Sequence, residues 1–316
     1  MAKGIRTVST IVTSCDTPAP GVRRLILADP DGWDLPPFRP GAHIDLHLAK
    51  GLVRTYSLCN EPGDNARYVV AVKLETESRG GSRFVHERLT VGTPIGVSLP
   101  RGGIKVSQVG RNVFLAGGIG VTPFLSVIRD MEAAGRTNYE LHWTSRGAPP
   151  LAEAIRPAIE AGRIRLYDTR REPRPDIATI LHEDGSNLHA FCCGPNAMLD
   201  AFDAATASWP EARKHVERFT APKIAANSNF APYELVLAAS KTSITVTPEL
   251  GLLGALEALD ADVPVSCAGG ICGACRTRWI EGSPVHRDRV LTPAERASEV
   301  IVCVAECASS RLVLDL

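Results

Sequence analysis

The chain has 316 residues, zero formal charge and 22% charged residues, so it is long enough for two or three domains with cores of their own. Balanced charge without a long basic run argues against a nucleic-acid-binding protein. The sequence has no run of about 18 apolar residues, so it predicts no membrane span. The first residues lack the apolar core of a signal peptide, and we therefore expect a cytoplasmic protein that binds no membrane.

Residues 1–104 consist largely of short strand-like runs separated by proline and glycine. This pattern predicts a β-barrel with antiparallel strands. The runs are GVRRLILADP, GAHIDLHLA, VRTYSLCNEP, ARYVVAVKLE and GTPIGVSLP.

Two motifs in this first segment combine groups that bind anions. Arg54 and Ser57 flank Tyr56 in RTYS, and the stretch 80–82, GGS, stands just before a predicted helix. Basic, hydroxyl and glycine N–H groups together suit a phosphate, and a tyrosine can lie against a flat ring. Taken alone, a surface ion pair for Arg54 and a core position for Tyr56 are the simpler interpretation.

Residues 105–225 alternate between strand-like and helix-like patterns, which predicts a doubly wound α/β domain with a parallel sheet. In one unit the strand NVFLA leads through GGIG into a helix, with Thr122 as the predicted N-cap and Pro123 in the first turn. A second unit, LHAFCCGPNAMLDAF, places Cys193 and Gly194 at the carboxyl end of an apolar strand.

Both turns are candidate ligand sites. At the first, Gly118 and Gly120 would leave free N–H groups and a helix dipole facing a pyrophosphate. The motif G-x-G-x-x-P is only part of the dinucleotide fingerprint, and such a turn often merely connects a strand to a helix. At the second, the carboxyl edge of a parallel sheet carries ligands, although Cys193 is also typical of a small buried residue.

Residues 226–316 have the pattern of a small module of strands and one helix. YELVLAAS and TSITVT predict a hairpin, and CRTRWIEG and RLVLDL predict further strands. In TPELGLLGALEAL, Thr247 is the predicted N-cap and Pro248 the first helical residue. Residues 221–234, rich in alanine, proline and asparagine, predict a linker into this module.

The chain has nine cysteines, and an odd number in a long chain is more typical of reduced thiols or metal ligands than of disulfides. Cys267, Cys272 and Cys275 have the spacing C-x4-C-x2-C, and Cys303 follows after 27 residues in an apolar run that predicts a strand. This is the plant-type spacing of a [2Fe–2S] cluster on four thiolates. A structural zinc site prefers two CxxC-like pairs and fits less well, and Cys307 is expected to be a buried or half-buried thiol.

Six motifs occur in one order along the chain: RTYSL, RGGS, GGIGVTP, CGP, ERF and the C-terminal cysteine pattern. In this the chain resembles the phthalate dioxygenase reductase family, which includes the vanillate demethylase reductases. The resemblance implies a multidomain protein: an antiparallel flavin-binding β-barrel over 1–104, a doubly wound α/β nucleotide-binding domain over 105–225, and an α+β β-grasp ferredoxin module over 226–316.

The resemblance also implies the roles of single residues. Arg54 and Ser57 would contact the flavin, with Thr55 and Tyr56 supporting them, and Gly80, Gly81 and Ser82 would bind the FMN phosphate. The residues implied for the nicotinamide nucleotide are Gly118, Gly120 and Thr122 for NADH binding, with Cys193 and Gly194 near the nicotinamide. Phe219, in ERF, would lie near the flavin or the domain junction.

By resemblance, the protein is an NADH-dependent oxidoreductase. NADH would give a hydride to FMN, and electrons would pass singly to the [2Fe–2S] cluster and then to a Rieske-type oxygenase. The cofactors carry this chemistry, so we expect no side chain that acts as a dedicated acid or base. The family implies a monomer.

Three alternatives stay open on sequence. The barrel could bind FAD and serve a small acceptor such as a quinone. NADPH could replace NADH, since Arg146 can meet a 2′-phosphate while Asp168 can meet a ribose. A colourless binding protein with a zinc module is a third alternative. Cys307 departs from the family pattern and leaves a second candidate for the fourth ligand.

Overall fold

The computed structural model describes residues 7–49, 52–76, 80–182, 187–219 and 230–316. These residues form two compact units, Met1–Phe219 and Thr220–Leu316. Of the predicted linker over 221–234, residues 221–229 lie outside the described residues. No helix in the described ranges is long and apolar enough to cross a membrane.

The first unit begins with seven antiparallel strands in the order β4-β3-β6-β1-β2-β5, with β7 paired to β3. The two ends of this sheet, β4 and β5, contact each other, as in the predicted barrel. The strands are β1 Thr7–Ala19, β2 Val22–Ala28, β3 Ala42–Ala49, β4 Leu52–Ser57, β5 Tyr68–Lys73, β6 Pro94–Ser98 and β7 Arg101–Gly102, with helix α1 at Gly81–Arg88.

The barrel core explains why apolar and polar residues alternate along the strands. On β3, Ile44 and Leu46 are fully buried and pack with Leu25, Leu27 and Tyr68 from neighbouring strands. Strand β1, the longest, was missed on sequence because its apolar residues alternate with threonines and serines that do not stand out. One of these, Thr10, is buried, and its hydroxyl donates a hydrogen bond to the Ile95 carbonyl at 2.8 Å.

The same unit contains a parallel five-stranded sheet in the order β10-β9-β8-β11-β12. Its elements are β8 Arg111–Gly117, α2 Thr122–Ala133, β9 Tyr139–Ser145, α3 Arg156–Glu160, β10 Ile164–Asp168, α4 Ile177–Leu181, β11 Leu188–Cys193, α5 Asn196–Ala205 and β12 Lys214–Glu217. The predicted doubly wound α/β fold is confirmed. The strand order reverses between β8 and β11, and a crevice at that point is where such sheets bind ligands.

Two helices that flank this sheet differ from the predicted ones. The helix expected over 151–162 is split into a 3₁₀ turn, Ala152–Ile155, and the short α3, because Pro157 cannot donate to a preceding turn. Thr122 is the first residue of α2 instead of its N-cap. A 3₁₀ turn over Gly118–Val121 precedes it, and the Thr122 hydroxyl donates to the Ile119 carbonyl at 3.0 Å.

A polar cluster on this sheet makes its stability depend on pH. The Glu140 carboxylate lies 3.3 Å from His142 Nε2 and 2.8 Å from Arg111. The nearby His142 ring and a hydrogen bond from Arg111 lower the pKa of Glu140 from 4.5 to about 2. A lowered folded-state pKa contributes stability that is complete above about pH 4.5 and is lost as the pH falls toward 2.

We therefore expect Glu140→Gln to reduce the free energy of unfolding at pH 7 by about 1–2 kcal/mol. The difference from the unchanged protein should shrink as the pH falls below 4.5. Urea denaturation at several pH values measures it. Glu160→Gln, at an exposed position of α3, is the matched control and should change little, and an equal loss at pH 3 and pH 7 would contradict the assignment.

The second unit is a five-stranded mixed sheet, β14-β13-β19-β15-β17, with a separate pair β16-β18 and one helix. Its elements are β13 Tyr233–Leu237, β14 Thr242–Val246, α6 Gly251–Ala258, β15 Arg276–Glu281, β16 Pro284–Val285, β17 Glu299–Ile301, β18 Glu306–Cys307 and β19 Arg311–Leu314. Among these described strands, β13 and β19 alone pair in parallel. The predicted α+β ferredoxin-like layout is confirmed.

Helix α6 covers the core of this second unit with Leu252, Ala255 and Leu256. The predicted start of this helix was wrong. It begins at Gly251, and Thr247 instead shapes the turn before it, accepting the Gly251 N–H on its carbonyl at 2.9 Å.

Candidate functional site

Three of the four predicted ligand cysteines lie in the loop between α6 and β15, and the fourth follows β17. Cys267, Cys272 and Cys303 are half-buried, whereas Cys275 is buried. The prediction that Cys303 sits on a strand was wrong, since β17 ends at Ile301 and Cys303 lies in the turn that follows.

The four sulfurs converge. The Cys267 thiol is hydrogen-bonded with Cys272 and with Cys303, and Cys275 with Cys303. These bonds lower the pKa of Cys267 and of Cys275 and raise the pKa of Cys272 and of Cys303, because each pair shares a proton. The thiolate is the form that binds metal. The described residues hold no group of three or more His, Cys, Asp or Glu arranged for one metal ion. The four sulfurs are linked in one row, Cys272–Cys267–Cys303–Cys275, which suits two irons that share four thiolates.

Backbone N–H groups also point at the sulfurs. Cys267 accepts from the N–H groups of Ile271 and Gly269, and Cys303 accepts from that of Gly270. Hydrogen bonds to cluster sulfur are one means by which a protein sets a reduction potential. The donor set therefore fits an iron–sulfur cluster.

The loop reaches this shape through left-handed backbone. Ala268, Gly270 and Gly273 have φ of 48°, 69° and 71°. A Cβ on Gly270 would lie 2.8 Å from the Val304 side chain and 3.1 Å from the Asp288 Cα, so only glycine fits there. Sequence reasoning found the glycines but not the segment at Asp288, which packs behind the loop.

Cys307 is apart from this group. Its thiol is buried and lies 3.1 Å from the Ser309 hydroxyl and 3.5 Å from the Arg311 carbonyl. The expectation of a buried thiol is confirmed, and these contacts involve none of the four converging cysteines.

In the barrel, the two predicted anion-binding motifs come together. Gly81 opens α1 against strand β4, and a Cβ on it would lie 2.4 Å from Arg54 Cγ. Gly80, just before the helix, has φ of 88°, and no side chain in the described part of the chain caps the first N–H groups of α1. A cationic side chain over an uncapped helix N-terminus fits a phosphate.

Two other residues of these motifs are already hydrogen-bonded within the protein, and a third, Tyr56, is affected by burial. The Thr55 hydroxyl donates to Asp45 at 2.6 Å, and the Ser82 hydroxyl accepts the Glu75 N–H at 3.1 Å. Burial raises the pKa of Tyr56 to about 12, so its phenol stays protonated. Thr55 and Ser82 thus shape the site by holding neighbouring backbone and side chains.

The two turns of the α/β sheet touch each other at the switch point. A Cβ on Gly120 would lie 2.2 Å from the Cys193 carbonyl oxygen, and one on Gly117 would lie 3.2 Å from Gly194 Cα. A Cβ on Gly118 would meet none of the described residues within 4 Å, and φ at this position is 57°. Gly120 therefore serves the packing of β8 against β11, whereas Gly118 faces outward.

Two further predicted residues lie at or just past the carboxyl ends of β11 and β12. Cys193 is fully buried in the core, and burial raises the pKa of its thiol well above the ordinary value, so its side chain is a neutral packing group. Phe219 is 46% exposed and follows β12 by two residues.

At the carboxyl end of β10, hydrogen bonds hold the Asp168 carboxylate in place. Asp168 accepts hydrogen bonds from the Gly147 N–H at 2.9 Å and from the Arg170 side chain at 2.9 Å. The Arg170 bond is the main cause of the lowered pKa of Asp168. Arg146, one residue beyond β9, is exposed.

Sequence reasoning missed two polar residues beside these sites. His43 on β3 lies directly opposite Ser57 on β4. Glu217, the last residue of β12, lies opposite Cys193 on β11. Glu217 opens the ERF motif, of which only Phe219 was given a role, whereas His43 belongs to no local motif and no spacing signal could have shown it.

Comparison with known proteins agrees with this geometry. The 2Fe-2S iron-sulfur cluster binding domain family matches residues 236–308. Phthalate dioxygenase reductase of Burkholderia cepacia is 34% identical over 295 residues, which cover 92% of this chain and 91% of that protein. Vanillate O-demethylase oxidoreductase of Pseudomonas sp. (strain HR199 / DSM 7063) is 34% identical, with 98% and 100% covered. Tetrachlorobenzoquinone reductase of Sphingobium chlorophenolicum is 35% identical, with both chains covered completely.

Two solved structures share the architecture. One is a phthalate dioxygenase reductase, described as a modular structure for electron transfer from pyridine nucleotides to [2Fe-2S]. It has a TM-score of 0.73 and 32% identity over 98% of each chain. The other is an intact type IV self-sufficient cytochrome P450 monooxygenase, with a TM-score of 0.84 and 34% identity over 98% of this chain. The match covers only 41% of that longer protein.

Proposed function

The chain belongs to the phthalate dioxygenase reductase family, and from this premise we propose that it is the reductase component of an oxygenase system. It takes electrons from NADH, passes them through FMN to a [2Fe–2S] cluster, and delivers them to a partner oxygenase. The observation that carries the proposal is the convergence of Cys267, Cys272, Cys275 and Cys303, with backbone N–H groups aimed at their sulfurs.

The barrel supplies the flavin site. Arg54, lying against Gly81 at the uncapped start of α1, would hold the FMN phosphate. Tyr56 and Ser57, at the end of β4, would lie along the isoalloxazine, while Thr55, Gly80 and Ser82 fix the local backbone. Bound FMN supplies the conversion of a hydride into single electrons.

The switch point of the parallel sheet supplies the nucleotide site. Gly118 and the start of α2 at Thr122 offer N–H groups to a pyrophosphate, with Gly120 holding the two turns together. Cys193 and Gly194 form the wall on which the nicotinamide would lie, and Phe219 lies past the last strand. Asp168, fixed at the carboxyl end of β10, favours a ribose hydroxyl over a 2′-phosphate, which supports NADH over NADPH.

The proposal also covers the partner protein, the oligomeric state and the domain boundaries. We expect the oxygenase to be of Rieske type, the reductase to be a cytoplasmic monomer, and its domains to span 1–104, 105–225 and 226–316. A one-electron cluster on a small module suits the brief, small contacts of redox partners. Relatives named as reductase subunits of oxygenases support the oxygenase partner.

A second candidate function has one supporting observation. The relative from Sphingobium chlorophenolicum that matches this chain from end to end is named a tetrachlorobenzoquinone reductase. Direct reduction of a small quinone therefore stands beside oxygenase reduction. NADH oxidation that quinone accelerates without any protein partner favours this candidate, and turnover that requires an oxygenase favours the first.

The test of the proposed function is the purified protein itself. We expect a coloured protein with absorption from both flavin and iron–sulfur, FMN in the extract released by heat, and bleaching on addition of NADH at a far lower concentration than of NADPH. A colourless preparation after reconstitution with iron, sulfide and FMN would contradict it.

Arg54→Ala sharpens this test. Loss of a charge-assisted hydrogen bond to phosphate costs about 1.5–3 kcal/mol, so FMN binding should weaken about 10- to 100-fold while the iron content stays unchanged. Flavin fluorescence titration measures the affinity. Arg67→Ala removes a barrel arginine that is half-exposed and paired with Asp64 and is the matched control. Equal FMN affinity in both variants would refute the assigned phosphate site.

A further inference from the structure

The cysteine-bearing loop of the second unit rests on a short segment that follows β16. A Cβ on Gly270 would lie 3.1 Å from Asp288 Cα and 3.4 Å from Asp288 Cβ. One on Gly273 would lie 3.1 Å from Val290 Cγ1, and the Gly270 carbonyl accepts the Arg289 N–H at 3.0 Å. Both left-handed glycines of the loop are therefore supported by this one segment.

The Asp288 side chain gives the segment its shape. It is only 1% exposed, and its Oδ2 accepts the N–H groups of Val290 at 3.1 Å and Leu291 at 2.8 Å. These two hydrogen bonds close a turn that holds Val290 against Gly273. An asparagine could close the same turn, because its amide oxygen accepts backbone N–H groups equally well.

The charge of this carboxylate is only partly compensated. Its Oδ1 is buried and has no hydrogen-bond partner among the described residues. Two basic side chains come within 4 Å: Arg296 Nη2 is 3.8 Å from Oδ2, and His286 Nδ1 is 3.7 Å from Oδ1. These distances are too long for hydrogen bonds, and Arg296 Nη2 donates instead to the Asp288 carbonyl at 3.0 Å.

A buried carboxylate without close pairing is costly. Since a neutral asparagine would close the turn without that cost, the charge itself points to a role beyond shaping the segment.

The position of the charge indicates this role. Asp288 packs directly against Gly270, and the Gly270 N–H is bonded to the sulfur of the ligand Cys303. The carboxylate thus lies behind a peptide that contacts the cluster ligands. Reduction adds an electron to an iron–sulfur cluster, and a negative charge held nearby in the protein interior opposes that addition.

We propose that Asp288 is a positioning residue that supports the cysteine-bearing loop and, through its charge, lowers the reduction potential of the cluster. The inference rests on the proposed function. Asp288 acts through Gly270 and is not itself a ligand. A lower potential makes the reduced cluster a stronger electron donor to the partner.

The test compares Asp288→Asn with Asp260→Asn in the holoprotein. Both changes remove one negative charge from the second unit and keep an amide oxygen. Asp260 is exposed and follows α6 by two residues, so water screens its charge. Its φ of 51° also suits asparagine. An anaerobic redox titration, followed by the visible absorption and electron paramagnetic resonance of the cluster, measures the potential.

We expect Asp288→Asn to keep its iron and sulfide and to favour the reduced cluster about tenfold, which is the effect of a unit charge roughly 10 Å away inside a protein. For one electron this raises the potential by about 59 mV. Asp260→Asn should leave the potential nearly unchanged. Equal potentials in the two variants would overturn the proposal.

Val290→Ala separates support of the loop from charge. It removes the contact with Gly273 but keeps the Asp288 carboxylate. We expect a chelator to remove iron from this variant about tenfold faster, with the potential of the remaining cluster unchanged. A potential raised as far as in Asp288→Asn would mean that loop packing sets it, and would overturn the role of the charge.

A further measurement needs no variant. In the unchanged holoprotein labelled with ¹³C at the aspartate carboxyl carbons, the infrared difference spectrum between oxidised and reduced cluster should contain a labelled carboxylate band. A spectrum without that band would overturn the proposal. An unchanged protein that holds no iron and sulfide would instead refute the proposed function.

Discussion

Replacing Cys272 with serine is expected to abolish electron transfer to cytochrome c while NADH still reduces the flavin. Cys272 is hydrogen-bonded with Cys267 in the converging group, and serine is a poorer ligand for iron than a thiolate. Loss of a residue that supports a metal ligand already costs about 10- to 100-fold. We therefore expect loss of the ligand itself to reduce cytochrome c reduction by at least about 100-fold, with flavin reduction within about threefold of the unchanged protein.

Cys307→Ser is the matched control for this prediction. It removes another buried cysteine of the same unit, one whose contacts are Ser309 and Arg311 and not the four converging sulfurs. It should keep its cluster and its cytochrome c reduction. Survival of both activities in Cys272→Ser would refute the electron path. Loss of iron from Cys307→Ser but not from Cys303→Ser would move the fourth ligand to Cys307.

The second large effect is expected from Gly120→Ala. The new methyl group would meet the Cys193 carbonyl at 2.2 Å, and backbone cannot move aside as a flexible side chain can. We expect a loss of about 3 kcal/mol in the free energy of unfolding and a large rise in the KM for NADH, since the two turns at the switch point would separate. Urea denaturation and steady-state kinetics measure the two effects.

Gly118→Ala is the informative comparison. A Cβ on Gly118 would meet nothing within 4 Å, and only the φ of 57° at this position opposes alanine, which costs about 1–2 kcal/mol. Its effect on stability should therefore be smaller than that of Gly120→Ala. Equal stability losses would mean that Gly120 has no special packing role.

The parts of the site that sequence could predict are the local ones. The spacing of Cys267, Cys272 and Cys275 lies within nine residues, and a ligand loop of that kind has few other uses. The strand–glycine–helix units were equally visible, because apolar periodicity and turn glycines are read within about twenty residues. The order of the three folds followed from the sequence of such local patterns.

What sequence could not predict depends on contacts between distant segments. Gly120 meets Cys193, which lies 73 residues further along the chain, so its packing role has no local signal. Gly270 requires Asp288 behind it for the same reason. The start of α6 differs from the prediction because tertiary packing overrides a local capping preference.

The central claim is that four cysteines of the second unit hold two irons. The most direct test is to purify the protein without oxygen and count iron and acid-labile sulfide. The account predicts about two of each per chain, with both lost in Cys272→Ser and retained in Cys307→Ser. A chain that binds no iron after reconstitution with iron and sulfide would contradict it.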